Sequence, residues 1–125
     1  MLKPAKADRI GKVSIIRTPE IDSAAPEFSM SIFTASENDW RIKNVICHTI
    51  TAGTEASLFY IGTSSEKNKF GEIVPDITSD NAIIGLDIPK SFIIPKGQSI
   101  YISKVTRETT GTVVSLQLEV EELLS

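Results

Sequence analysis

The chain has 125 residues with sixteen acids against thirteen bases, a net charge of −3, and 41% apolar residues. That balance supports a single globular core and excludes a disordered chain, and the mildly acidic total argues against a domain built mainly to grip nucleic acid or an anionic membrane. The single cysteine, Cys47, excludes an internal disulfide and a cysteine-based zinc site, so a reducing compartment is the simpler reading. No apolar run approaches the roughly 20 residues that span a bilayer. The stretch Met1 to Arg9 carries bases with no apolar segment behind them, which is not the pattern of a signal peptide.

Ile, Val and Thr together number 36, against 15 for Ala and Leu. β-Branched side chains are stiff at χ1 and suit a pleated surface better than a helix, so an all-β domain is expected. Lys12 to Arg17 reads as a first short strand. Pro26 to Thr34 alternates, with Phe28, Met30 and Ile32 on one side and Glu27, Ser29 and Ser31 on the other. Arg41 to Thr51 alternates again, which places Ile42, Ile46 and Ile50 on one face. A short link containing Gly53 turns the chain into Ala56 to Gly62, a hairpin partner.

A polar loop over Ser64 to Lys69 precedes a short strand, Phe70 to Val74, ended by Pro75. Asn81 to Ile88 is strand-like, with Gly85 marking a bulge or a close backbone approach. Ser91 to Ile94 runs into Pro95-Lys96-Gly97, where Pro at the second turn position and Gly at the fourth fit a type I turn. Gln98 to Val105 and Thr112 to Glu121 complete the strands, the last with Val114, Leu116, Leu118 and Val120 facing the core. Val120 to Leu124 has the composition of one helical turn. About eight short strands, antiparallel because no segment can serve as a helical crossover, predict a β-sandwich.

Catalytic and metal chemistry find little to use. His48 is the only histidine, and Cys47 beside it on a strand points to the opposite face, so the two cannot form a nucleophile–base pair there. One His and one Cys cannot complete a structural zinc tetrad. Asp76, Asp80, Asn81 and Asp87 are read as turn residues bonding their own backbone. The glycines stand singly, with no phosphate-binding loop. Asp39-Trp40 invites a sugar-stacking reading, although a Trp closing the entrance to a strand is commoner. No catalytic residue, cofactor or metal is expected, and an enzyme is the least supported class.

Charge placement offers another lead. Lys3, Lys6, Arg9, Lys12 and Arg17 share the first seventeen residues with one acid, Asp8, whereas Glu119, Glu121 and Glu122 lie near the other end. Residues 1–11 read as an extended basic arm and 12–125 as one sandwich domain, with both ends expected to be held by a neighbouring chain. Phe59 and Ile61 lie on a strand that is apolar on both faces, which hints that one face meets a partner.

The runs IKNVICHTITAGTEASLFYIGTS and NAIIGLDIPKSFIIPKGQSIYI, spanning roughly Arg41 to Ile102, resemble small jelly-roll-like β-sandwich proteins of tailed-phage virions. That resemblance implies a non-enzymatic structural protein of the virion, assembled in the host cytoplasm. The version it implies first is a capsid decoration (cement) protein. The alternatives are a tail, neck or baseplate subunit, or a carbohydrate or cell-surface binding module. The implied partners are the major capsid protein or another virion subunit, together with further copies of the chain in a homo-oligomer, a trimer being favoured; neither membrane nor nucleic acid is expected. Lys3, Lys6, Arg9, Lys12, Trp40, Phe59 and Ile61 are the candidate partner contacts.

Overall fold

The computed structural model describes residues 10–89 and 92–124. They form ten strands: β1 (Ile10–Arg17), β2 (Ile21–Asp22), β3 (Phe28–Thr34), β4 (Asp39–Thr51), β5 (Phe59–Gly62), β6 (Gly71–Ile73), β7 (Ile83–Asp87), β8 (Ile93–Ile94), β9 (Ser99–Lys104) and β10 (Val113–Leu123). One sheet has the order β1-β10-β4-β7, with β2 added on β10 and β8 on β4; the other has the order β3-β9-β5-β6. Every pairing is antiparallel. The pairs nest: β1 with β10, β3 with β9, β4 with β7, β5 with β6. A long hairpin folded back in this way, with alternate pairs assigned to alternate sheets, is the jelly-roll arrangement of a β-sandwich. Eight strands carry that plan, and β2 and β8 are two-residue additions to it.

The core lies between the sheets. β10 follows its predicted alternation: Val114, Leu116, Leu118 and Val120 are buried, with the intervening residues to Glu119 half-exposed. β10 continues as strand to Leu123, paired with Asp39, so the expected helical turn at Val120 to Leu124 does not form. The ladder to β4 continues there, and Leu123 has a place in the core.

β4 departs from simple alternation. Ile42 pairs with Val120 and Asn44 with Glu119, so two residues of β4 span one of β10 and the strand is bulged at Lys43. The bulge exchanges the faces. Trp40 and Ile42 point inward before it, and Val45, Cys47 and Thr49 point inward after it, leaving Ile46 and Ile50 on the far side from Ile42. The three isoleucines expected on one face are therefore divided between two.

Two buried side chains show how tightly this interior is finished. Lys104 pairs with Phe28 on one side and Phe59 on the other, and its stem runs through the core. Its ammonium donates to the carbonyls of Ala25 and Thr106, each at 2.6 Å. Burial pushes its pKa down, opposed by the nearby charges of Glu27 and Glu108. Cys47 is wholly buried, and desolvation pushes its thiol up to about 12.

Truncating Lys104→Ala removes the stem and leaves two carbonyls without their donor, so it should lower unfolding stability by about 2–4 kcal/mol in urea melts, with Lys104→Met losing less because it keeps the stem's packing. A thiol reagent at pH 8 should leave Cys47 unmodified in the folded protein and label it fully in denaturant; rapid labelling of the native state would contradict the sealed core.

Candidate functional site: the outward face of the long-strand sheet

The sequence-based contact candidates separate on the structure. Lys3, Lys6 and Arg9 lie outside the described residues. Lys12 lies on β1 and is exposed. The other three are corrected by burial: Trp40 is 5% exposed, Phe59 1% and Ile61 0%. Trp40 meets Phe33 edge to face, with ring centroids 4.9 Å apart, and its indole N–H donates to the carbonyl of Ser36 at 3.3 Å. It closes the entrance to β4 and offers no flat face for a sugar. Phe59 and Ile61 share the face of β5 turned toward the other sheet and belong to the core, whereas Tyr60 between them is half-exposed.

The exposed apolar residues lie elsewhere: Val74 follows β6, Ile84 lies on β7 beside Ile83, and four more mark one sheet. Val13 is 53% exposed, Ile15 57% and Ile83 64%, and Ile93 is exposed as well. All four belong to the flanking strands of the sheet built on β4 and β10. Cross-strand register arranges its outward face in rows. Val13, Glu121, Arg41 and Ile93 form the first; Ile15, Glu119, Asn44 and Asp87 the second; Arg17, Gln117, Ile46 and Gly85 the third. Ser115, His48 and Ile83 follow.

The middle of the face is polar and tied together. Arg41 Nε donates to Glu121 Oε1 at 2.7 Å in a pair whose side chains are mostly buried, bordered by Val13 and Ile93. Asn44 Nδ2 donates to Glu119 Oε2 at 3.1 Å, and Arg17 Nε donates to Gln117 Oε1 at 2.8 Å. His48 Nε2 lies 3.3 Å from Asn81 Oδ1. Partnered side chains on a continuous sheet make this a fixed surface, with apolar groups at its two margins.

A carboxylate anchors the β1 margin. Ile10 pairs with Leu123 and Val13 with Glu121, so Gly11 and Lys12 bulge opposite Glu122. The Glu122 carboxylate accepts the Lys12 backbone N–H at 3.1 Å and the Asn38 side-chain amide at 3.0 Å. A Cβ on Gly11 would meet this carboxylate, so a side chain there would have to push Glu122 aside from its hydrogen bonds. The Asn38 hydrogen bond first, and then the Lys12 amide, pull the Glu122 pKa below its ordinary value.

Chemistry elsewhere is local. Glu55 accepts the backbone N–H groups of Thr110 and Thr109, and Asp76 accepts the hydroxyl and N–H of Thr78; both carboxyls are lowered by those bonds, which fasten loops. Among the described residues no group of three or more His, Cys, Asp or Glu side chains could hold a metal ion, and no helix is long and apolar enough to cross a membrane.

No family model matches the sequence, and no curated protein matches it. Two solved structures are similar in backbone trace. One is from Bacillus endospore appendages, a family of disulfide-linked pili: 11% identity, 100% of this chain and 98% of that chain covered, TM-score 0.48. The other is from the capsid asymmetric unit of cyanophage Pam1: 10% identity, 90% of this chain and 86% of that chain covered, TM-score 0.48.

Sequence reasoning missed Val13, Ile15, Ile83 and Ile93 as surface residues, although a signal for the three isoleucines exists. Ile15-Ile16, Ile83-Ile84 and Ile93-Ile94 are the three Ile-Ile doublets of the chain. Neighbours on a strand face opposite ways, so in a two-layer sandwich one member of each doublet must leave the core.

Because the folded-state pKa of Glu122 is depressed, its contribution is present above the ordinary carboxylate range and is lost as pH falls through the folded value. Amide hydrogen exchange should show protection at Lys12 falling selectively once pH drops below the ordinary carboxylate range, a loss that Glu122→Gln should bring forward to neutral pH. Unchanged Lys12 protection in the variant would mean that the carboxylate does not hold the bulge.

Proposed function

We propose that this chain is a non-enzymatic structural protein of a tailed-phage virion, a capsid decoration protein that binds between shell subunits. The observation that carries the reading is the outward face of the β1-β10-β4-β7 sheet. It is a rigid surface with Val13 and Ile15 at one margin and Ile83 and Ile93 at the other, and its polar centre is already internally paired. Exposed apolar groups on a fixed sheet suit burial against another protein. The resemblance of Arg41 to Ile102 to virion sandwich proteins directs that partner toward a capsid lattice.

Such a role needs no bond-making. A protein that binds only the assembled shell stabilises it by mass action, and many copies of a modest contact add up. The basic residues Lys3, Lys6 and Arg9 fit an arm extended over an acidic neighbouring surface, with Lys12 at its root on β1, and ten extended residues reach about 35 Å. A three-fold homo-oligomer would present several such arms together.

Quantitative mass spectrometry of purified virions should find the chain in a fixed, high ratio to the major capsid protein, and removing it should lower the temperature at which particles release DNA. A few copies per particle would move the protein to a tail, neck or baseplate. Its absence from particles would overturn the virion reading altogether.

A further inference from the structure

Among the described residues the sheet β1-β10-β4-β7 has two unpaired edges that differ in chemistry. β1 forms one edge, and between Ile10 and Arg17 it carries Lys12 and Arg17 with no acid. β7 forms the other, and between Asp76 and Asp87 the chain carries Asp76, Asp80 and Asp87 with no base. Both edges expose aliphatic side chains, Val13 and Ile15 on one and Ile83 on the other. Sheet edges are commonly blunted by charge, proline, bulges or a covering segment. On β1 the bulge lies at the Gly11–Lys12 end and leaves Val13 to Arg17 in regular register with β10.

We infer that the β1 edge of one copy of this chain pairs with the β7 edge of a second copy, extending the sheet across the junction. Strand direction favours this junction. Each strand of the sheet runs opposite to its neighbour, so β1 and β7 run in opposite senses. Rotating a copy about an axis along the strands preserves those senses, and β7 of one copy meets β1 of the next as an antiparallel pair. The outward faces stay on the same side, so Ile83 comes beside the Val13 and Ile15 side. Lys12 and Arg17 approach the margin that carries Asp87, and opposite charges across adjacent strands stabilise the pair.

The contact joins two different surfaces, so it closes into a ring where the rotation allows and otherwise continues as a filament. The trimer of the preceding section is the three-fold ring. The inference rests on that structural reading but can fail independently of it.

The test uses full-length protein and two surface variants that remove apolar edge contacts without adding charge. Val13→Asn with Ile15→Asn weakens the β1 edge, and Ile83→Asn weakens the β7 edge; circular dichroism and thermal melts check that both variants fold. Light scattering after size exclusion should give the wild type at three times the 13.6 kDa chain mass and each variant alone as monomer. Mixing the variants leaves one intact edge on each kind of chain, and the mixture should form heterodimers of twice the chain mass and nothing larger. A monomeric wild type overturns the inference, as does a mixture that stays monomeric or a β7-edge variant that dimerises by itself through β1. Loss of the junction with retained virion incorporation removes only this contact; a confirmed junction in a protein absent from virions removes only the decoration reading.

Discussion

The fold depends on one pairing, the ladder between β4 and β10. It runs from Val113 opposite Thr51 to Leu123 opposite Asp39, and β1, β2, β7 and β8 are all attached to one or other of these strands. Val114, Leu116, Leu118 and Val120 from one strand and Ile42, Val45 and Cys47 from the other are 0–1% exposed. Burying an aliphatic side chain of this size fully is worth about 1.5–3 kcal/mol, so this pair holds a large share of the hydrophobic stabilisation. The second sheet covers it with Phe59, Ile61, Ile100 and Ile102.

The same ladder sets what the outside looks like. The bulge at Lys43 lets Ile42 and Val45, three positions apart, both face inward, which strict alternation forbids. It also leaves Arg41 opposite Glu121 on the outward face while Asn44 opposes Glu119 in the next row. The ion pair and the amide–carboxylate bond along the centre of the face are therefore products of a backbone irregularity. The most exposed apolar side chains of this face, Val13, Ile15 and Ile83, stand at its margins, with the half-exposed Ile46 between them.

Sequence legibility followed the same division. The β10 alternation and the antiparallel sandwich could be read because each depends on local period or composition. The hairpin expected across Gly53 does not form, since β4 and β5 lie in different sheets, and the turn at Pro95 runs to Gln98 with Gly97 third at positive φ, a type II geometry in place of the expected type I. The face assignment in β4 could not, since a bulge is a relation between two strands and leaves no mark on one strand's composition. Trp40 was ambiguous for a similar reason: an aromatic ring at a strand entrance reads alike whether Phe33 packs against its edge or not. Phe59 and Ile61 invited an interface reading because their strand is apolar on both faces; which face meets the opposite sheet is a long-range fact. The Ile-Ile doublets were readable and mark the flanking strands β1, β7 and β8, since a core on one side can accept only one of two adjacent side chains.

Nested pairing adds a constraint that composition does not show. Folding a long hairpin back on itself places the first strand beside the last, and β10 occupies the interior of its sheet because β4 pairs with its other side. The first strand is thereby forced to an edge. At the opposite edge stands β7, which reaches its place by way of the Asp76 to Asp80 turn. The bases of β1 and the acids around β7 are thus set apart by connectivity at the two ends of a four-strand row. An even number of alternating strands gives such a row opposite strand senses at its ends. A sheet with these properties carries a built-in polarity, and the aliphatic residues on both margins remain the exposed surface with most to gain from a neighbour.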